Sequence, residues 1–234
     1  MSNPSKPFTG KSLNTLIATL VLLFAHSIGA QANELAADVL LKQTAEKMIN
    51  TLNNERNNLK GNPDRVRELV EQELLPHIDI ITASRWVLGK HWRTAEKEQK
   101  IKFIRQFRSL LLRFYSNALA EYLDSKDSKP LDISTITFLP LRMEANEKDV
   151  VVRSIIKQDN GQTVPVNYSM HLTSKGWKVY DVAVEGISVI STYRTSFATE
   201  IKQHGIDSLI ASLSDKNNKF IDQAPKPRKV SAVK

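Results

Sequence analysis

The chain has 234 residues, 41% apolar and 25% charged, with 33 Lys and Arg against 25 Asp and Glu and a formal charge of +8. It has no cysteine, which excludes disulfides, thioether-linked haem, zinc–thiolate sites and a cysteine-borne lipid anchor. The positive charge does not mark a nucleic-acid surface. Lys6 and Lys11 carry part of it near the N-terminus, and residues 216–234 hold six Lys or Arg against Asp222 alone, so the stretch between is near neutral.

Residues 1–32 read as a secretory signal peptide. Lys6 and Lys11 precede the apolar run LIATLVLLFA at 16–25, and Ala30-Gln31-Ala32 sets small residues at both cleavage-critical positions. That run falls well short of the roughly 20 apolar residues a membrane-spanning helix needs. Cleavage after Ala32 leaves one domain over 33–215, large enough for its own core, and a disordered basic tail over 216–234.

The stripe Leu41, Ala45, Met48 and Leu52 predicts a helix over 33–58. Asn62 then stands as N-cap, with Pro63 at the first helical position. The helix that follows turns Val66, Leu69, Val70 and Leu74 inward until Pro76 stops it. Asp79 caps a short third helix through Val87 and Leu88, closed by Gly89. Thr94 opens the longest helix, which runs to about Asp124 and carries a wide apolar band through Phe103, Phe107, Leu111, Tyr115, Leu119 and Tyr122.

After residues 125–129 the apolar period changes from 3.6 to 2. Segments 133–139, 149–157, 163–172 and 177–184 predict four strands. Asp159-Asn160-Gly161 and Ser174-Lys175-Gly176 are the turns between the later ones, so the pairing is an antiparallel meander. The last strand is apolar on both faces, which implies cover on both sides. Ser188 caps a helix bearing Ile190, Tyr193, Phe197 and Ile201; Gly205 ends it, and Asp207 starts a short final helix with Leu209, Ile210 and Leu213. The fold class is α+β, with helices packed over one face of a curved four-stranded antiparallel sheet and the long helix facing that sheet.

Catalytic and metal signatures are lacking. His77, His91, His171 and His204 have no helical i,i+4 partner, the glycines sit singly at turns, and no serine lies in a G-x-S-x-G elbow. Asp181, mid-strand among apolar neighbours, is costly there unless hydrogen-bonded. It is either a structural acceptor or the general base of a cavity enzyme. The apolar surplus between long helix and sheet makes either a solid core or an open cavity for an apolar ligand, and a peptide-binding module using a sheet edge is a third reading.

The motifs VLGKHWR at 87–93, the following helix through Phe107, Tyr115 and Tyr122, WKVYDVAVEGIS at 177–188 and GIDSLI at 205–210 together resemble the MlaC family. Asn62-Pro63-Asp64 and EQELLP at 71–76 fit the same pattern, and the likeness spans about 35–214. These are periplasmic phospholipid carriers of Gram-negative envelopes, also called toluene-tolerance proteins, that maintain outer-membrane lipid asymmetry.

The resemblance implies an NTF2-like related fold, a sheet wrapped by helices around a hydrophobic pocket. It implies a non-enzymatic carrier without cofactors, with phospholipid as cargo. Its expected partners are an inner-membrane ABC lipid transporter complex and an outer-membrane lipoprotein–porin complex, and the expected state is a monomer. By place in the matching motif, Ile187 is the pocket-wall residue. The strand pattern adds Val152, Val166, Tyr168, Met170 and Val184, and the helices add Val87, Leu88, Phe107, Leu111, Tyr115 and Ile190 as candidate lipid contacts.

Overall fold

A computed structural model describes residues 36–125, 129–141, 143 and 147–223, with side chains to Asn218. The signal segment and residues 224–234 of the predicted tail lie outside the described residues. The first predicted helix is divided. Helix α1 spans Ala37–Asn54, Glu55 leaves helical geometry, and α2 adds one turn at Arg56–Leu59. Leu52 and Leu59 are buried together with Val66, Leu69 and Leu123. Glu55 closes the corner by accepting from Arg65 Nη2 at 2.8 Å.

Helix α3, Pro63–Leu69, starts as its sequence predicts: the Asn62 side chain accepts from the Arg65 N–H at 3.2 Å and Pro63 occupies the first turn. Ahead of Pro76 the helix widens into a π turn at Val70–Leu74 and then tightens to a 3-10 turn at Leu75–His77. Proline lacks an N–H and crowds the carbonyl four residues back, so regular α-geometry cannot continue through it. Asp79 Oδ1 accepts from the Thr82 N–H at 2.9 Å to begin α4, Ile80–Leu88, and Gly89 ends it at φ 53°.

Thr94 does not open the longest helix. Its hydroxyl donates to the His91 carbonyl at 3.2 Å and closes a separate turn, α5, His91–Thr94. Helix α6, Lys97–Asp124, is instead capped by the reciprocal Glu96–Gln99 box, and its 28 residues span about 42 Å.

The sheet has five antiparallel strands in the order β1 to β5: Ile136–Phe138, Asp149–Lys157, Thr163–Thr173, Gly176–Val184 and Ile187–Ser188. The predicted first strand is shortened because the Asp132 side chain accepts from the Ser134 N–H at 2.8 Å and draws Ile133–Thr135 into a 3-10 turn. The fifth strand, absent from the sequence reading, follows a two-residue turn in which Glu185 and Gly186 both have positive φ, 52° and 82°. That geometry suits a tight hairpin.

A bulge decides the faces of β4. Met170 pairs with Val179 and Ser169 with Asp181, which leaves Tyr180 as the extra residue. Val179 and Val182 therefore both join the apolar face with Val150, Val152, Tyr168 and Met170, while Tyr180 packs into the helical core on the other side. The apolar sheet face is covered by α1 through Ala37, Leu40 and Leu41, and the long helix faces its β4 side, with Phe107, Leu111 and Tyr115 opposite Val179 and Val182. The band of α6 is also shared among helices. Phe103, Phe107, Leu110 and Leu111 pack on α4 and on the last helix, α7, Val189–Gln223, while Leu119 and Leu123 pack on the segment 52–69. A band wider than a seam can serve several neighbours at once.

Helix α7 breaks at Gly205 (φ 82°, ψ 167°), where the sequence placed the boundary between two helices. Beyond that break it runs past residue 215 to Gln223, so residues 216–223, assigned to the tail from composition, are helical. The anchor is Asn217, whose Nδ2 donates to Gln106 on α6. Replacing Asp79 by Ala should remove the α4 cap and lower the unfolding free energy by about 1 kcal/mol. Urea unfolding would register this as a lower midpoint at unchanged slope.

Candidate functional site

Between β4, α4, α6 and the start of α7 lies a cavity of about 30 Å³. Its walls are Ile78 and Ala83, then Phe107, Leu111 and Tyr115 from successive turns of α6, then Val179, Tyr180, Asp181 and Val182 from β4, and Val189 and Ile190 from α7. Aside from Asp181 and the tyrosine hydroxyls, the side chains are apolar. The bulge makes this possible, because it lets consecutive stretches of one strand present side chains to both neighbouring layers.

Of the sequence-predicted contacts, Phe107, Leu111, Tyr115 and Ile190 line the cavity. Val87 and Leu88 do not; they are buried in the helical core beside it. Val152, Met170 and Tyr168 belong to the sheet cluster under α1, and Val166 is buried on the same strand face. Ile187 stands apart from the walls, 69% exposed on the two-residue β5, because the tight turn ends at the open edge of the sheet. It pairs directly with Val184, itself 41% exposed, and Val184 shares a face with the cavity residue Val182. An apolar strip thus runs from the cavity out to the surface.

Ile78 and Tyr180 were missed from sequence. Ile78 reaches the site because the 3-10 turn at Pro76 brings it beside Val179, where the Asp79 N–H donates to the Val179 carbonyl at 2.8 Å. No periodicity announces a parallel bridge of one residue, and a bulge changes the face of a residue without changing its neighbours in sequence.

Asp181 lines the cavity but is engaged. Its Oδ2 accepts from the Ser188 hydroxyl at 2.6 Å and its Oδ1 from the Ile190 N–H at 3.0 Å, while Ser188 Oγ accepts from the Ser191 N–H at 3.0 Å. This carboxylate and the serine together cap α7, as a structural acceptor would. Two phenols of the cavity wall, Tyr115 and Tyr180, lie near it, with Tyr193 beyond them. Burial, and then the nearness of Tyr193, Asp181 and Tyr168, raises the Tyr115 hydroxyl above its ordinary value. Burial likewise raises Tyr193, with Arg113 opposing, and Tyr180, where a hydrogen bond with Ser169 opposes. At neutral pH these groups are neutral O–H donors inside an apolar wall. Among the described residues no cluster of His, Asp or Glu could hold a metal ion, and no helix is long and apolar enough to cross a membrane.

The family model for MlaC protein matches residues 42–215. The chain belongs to the MlaC family. It is 24% identical over 203 residues to the intermembrane phospholipid transport system binding protein MlaC of Haemophilus influenzae, covering 85% of this chain and 88% of that protein. It is 29% identical over 189 residues to the toluene tolerance protein ttg2D of Pseudomonas putida, covering 80% and 83%. Among solved structures it resembles a phospholipid-binding protein from Ralstonia solanacearum in complex with a phospholipid, with a TM-score of 0.66 and 30% identity over 80% of this chain and 99% of that one. The residues lining the cavity and the strip to Ile187 all fall within the segment matched by the MlaC model.

Two outcomes follow from the site's polar groups. Asp181→Ala should unfold at a free energy lower by roughly 2 kcal/mol, since it strands the α7 cap donors, with loss of α7 hydrogen-exchange protection around Ile190 as the specific readout. His77, before the cavity residue Ile78, is held below the usual imidazole range chiefly by burial and then by Lys178. Its proton is thus bound more readily in the unfolded chain. Stability from this group is complete above a pH of about 6.5 and falls as the pH drops from there through the lowered folded value. Urea midpoints measured from pH 7 to pH 5 should decline, and less steeply in His77→Gln.

Proposed function

We propose that this protein is a non-enzymatic periplasmic carrier that shuttles phospholipid between the outer and inner membranes and so sustains outer-membrane lipid asymmetry. The observation that carries the reading most is its likeness to a phospholipid complex, at 30% identity over 99% of that chain, with an apolar cavity lying among the shared helices and sheet. The segment at 1–32 supports export, and the MlaC relatives support an inner-membrane ABC lipid transporter complex and an outer-membrane lipoprotein–porin complex as exchange partners.

Energetics dictates what such a carrier must do. Two acyl chains of about 30 methylenes cost roughly 24 kcal/mol to expose to water at about 0.8 kcal/mol each. A soluble shuttle has to hide nearly all of that surface and still release it to a membrane. A cavity of about 30 Å³ admits no acyl chain, so loading requires its walls to part. Helix α4 is tied to β4 by the Asp79 N–H on the Val179 carbonyl and α7 by the Asp181 cap. Helix α6 meets β4 across the cavity only through side chains and can move away while those ties and the β3–β4 ladder stay intact. Chains entering there would lie along Val179 and Val182 and cover Val184 and Ile187, which accounts for two apolar residues left exposed at the end of the strip. The neutral tyrosine hydroxyls of Tyr115 and Tyr180 offer donors to ester oxygens without the charge that would anchor a headgroup too firmly.

Other readings fare less well on the same geometry. Asp181 is committed to Ser188 and Ile190 and is not free to act as a general base. The edge strands β1 and β5, three and two residues long, offer little ladder to an added peptide strand. Native mass spectrometry of the purified mature protein should show a phospholipid adduct. Val182→Glu and Ile187→Glu should each reduce that adduct at least tenfold with circular dichroism unchanged, whereas Val151→Glu, on the opposite sheet face, should keep it. Lipid-free protein recovered from several expression conditions would defeat the reading.

A further inference from the structure

A second cavity, of about 140 Å³, lies on another side of α6 from the apolar one, between α3 and the far end of α7. Its character is the reverse of the first. Arg67 from α3 and Arg105 and Arg113 from α6 border it, and neither Asp nor Glu lines it. Two neighbouring arginines are matched by acids: Arg65 pairs with Glu55 and Glu68, and Arg108 with Glu71. Arg67 and Arg105 have no ion pair among the described residues. Arg113 donates one N–H to the Lys216 carbonyl, which holds its guanidinium at the cavity while leaving other donors of its fork unused.

Two buried polar side chains complete the lining. Ser116 is 5% exposed and its Oγ has no hydrogen-bond partner, although a helical serine commonly returns its hydroxyl to the carbonyl four residues back. Asn217 is 6% exposed; its Nδ2 donates to the Gln106 carbonyl at 3.1 Å and to Gln106 Oε1 at 2.8 Å, which leaves its Oδ1 buried and unpartnered. Each such group is costly unless something satisfies it. Three guanidinium groups around one small space add mutual repulsion that an anion would relieve.

We propose that this cavity binds a phosphate group that still carries a proton, as inorganic phosphate or as a phosphate monoester. Guanidinium forks match phosphate oxygens in pairs, and the Ser116 hydroxyl supplies a further donor. The Asn217 Oδ1 is an acceptor, to which a P–OH on the bound anion can donate. Sulfate and phosphodiesters have no such proton at neutral pH. The size agrees: about ten times the space one water requires is room for a tetrahedral oxyanion with its waters, but not for an added helix about 10 Å across. The site uses a different face of α6 from the lipid reading and stands or falls separately from it.

Isothermal titration of the purified mature protein at pH 6, where about half of a phosphate monoester keeps its P–OH, tests this with inorganic phosphate, glycerol 3-phosphate and sulfate, and with phosphatidylcholine vesicles with and without phosphatidic acid. Phosphate and glycerol 3-phosphate should bind one per chain, sulfate at least tenfold more weakly, and Arg67→Gln and Arg105→Gln should each weaken phosphate at least tenfold. Arg105 is exposed, so its variant keeps the fold, and bound lipid should be unchanged in both. Response to phosphatidic acid vesicles alone, lost in both variants, would assign the same phosphate chemistry to a lipid headgroup. Sulfate bound as tightly as phosphate, phosphate binding unaltered in both variants, or no response to any phosphate probe at millimolar concentration would overturn the proposal.

Discussion

The hydrogen bonds from Ser188 and Ile190 to Asp181 join the sheet to the helical layer, and much of the architecture hangs on that join. A carboxylate in the middle of a strand would ordinarily be a burden among apolar neighbours. Here it meets the orphan N–H of a helix start, so both the half-buried carboxylate and the free donor find partners. The two-residue hairpin at Glu185-Gly186 returns the chain at the distance this contact requires. The bulge at Tyr180 sets the phase, turning Val179 and Val182 to the sheet face while Asp181 reaches α7.

Because β4 then contributes to two layers, the space beside it is bounded by side chains from independent elements. Aromatic contacts tie the helical side together: Phe103 stacks on Phe107 with ring centres 5.7 Å apart, and Phe107 meets Tyr193 edge-on at 5.8 Å. The sheet side is tied by its ladders and by α1. Among the described residues no hydrogen bond joins α6 to β4, so closure on that side depends on side-chain packing rather than on backbone hydrogen bonds. A carrier needs such a seam, since a wall held by a ladder could not open without losing several hydrogen bonds at once.

Helix α6 divides the functional surface. Phe107, Leu111 and Tyr115 look into the apolar cavity, while Arg105, Arg113 and Ser116 border the polar one. Residues three and four apart share a face, so one long helix can present two chemistries in separate directions along the same turns. The α7 extension closes the polar side through Asn217, which is why residues classed by composition as tail are part of the structure.

By itself the sequence determined the elements with strong local signals: the Asn62, Asp79 and Ser188 caps, the break at Gly205, the meander and its turns, and the α+β class with its family. Those depend on neighbours within a turn of the chain, where backbone donors and side-chain acceptors are close whatever the rest does. It also named Phe107, Leu111, Tyr115 and Ile190, because an apolar stripe marks a buried face. Only the tertiary structure decided which partner each face meets. A stripe says that a side chain is hidden and not what hides it, so α1 joins α6 in covering the sheet. Val87 and Leu88 sit in the core rather than the cavity, and Ile187 stands at its outer edge. The bulge at Tyr180, the parallel bridge at Ile78 and the convergence of Arg67 with Arg105 and Arg113 are long-range placements. They arise when distant segments compete for the same space, and no local period records the outcome.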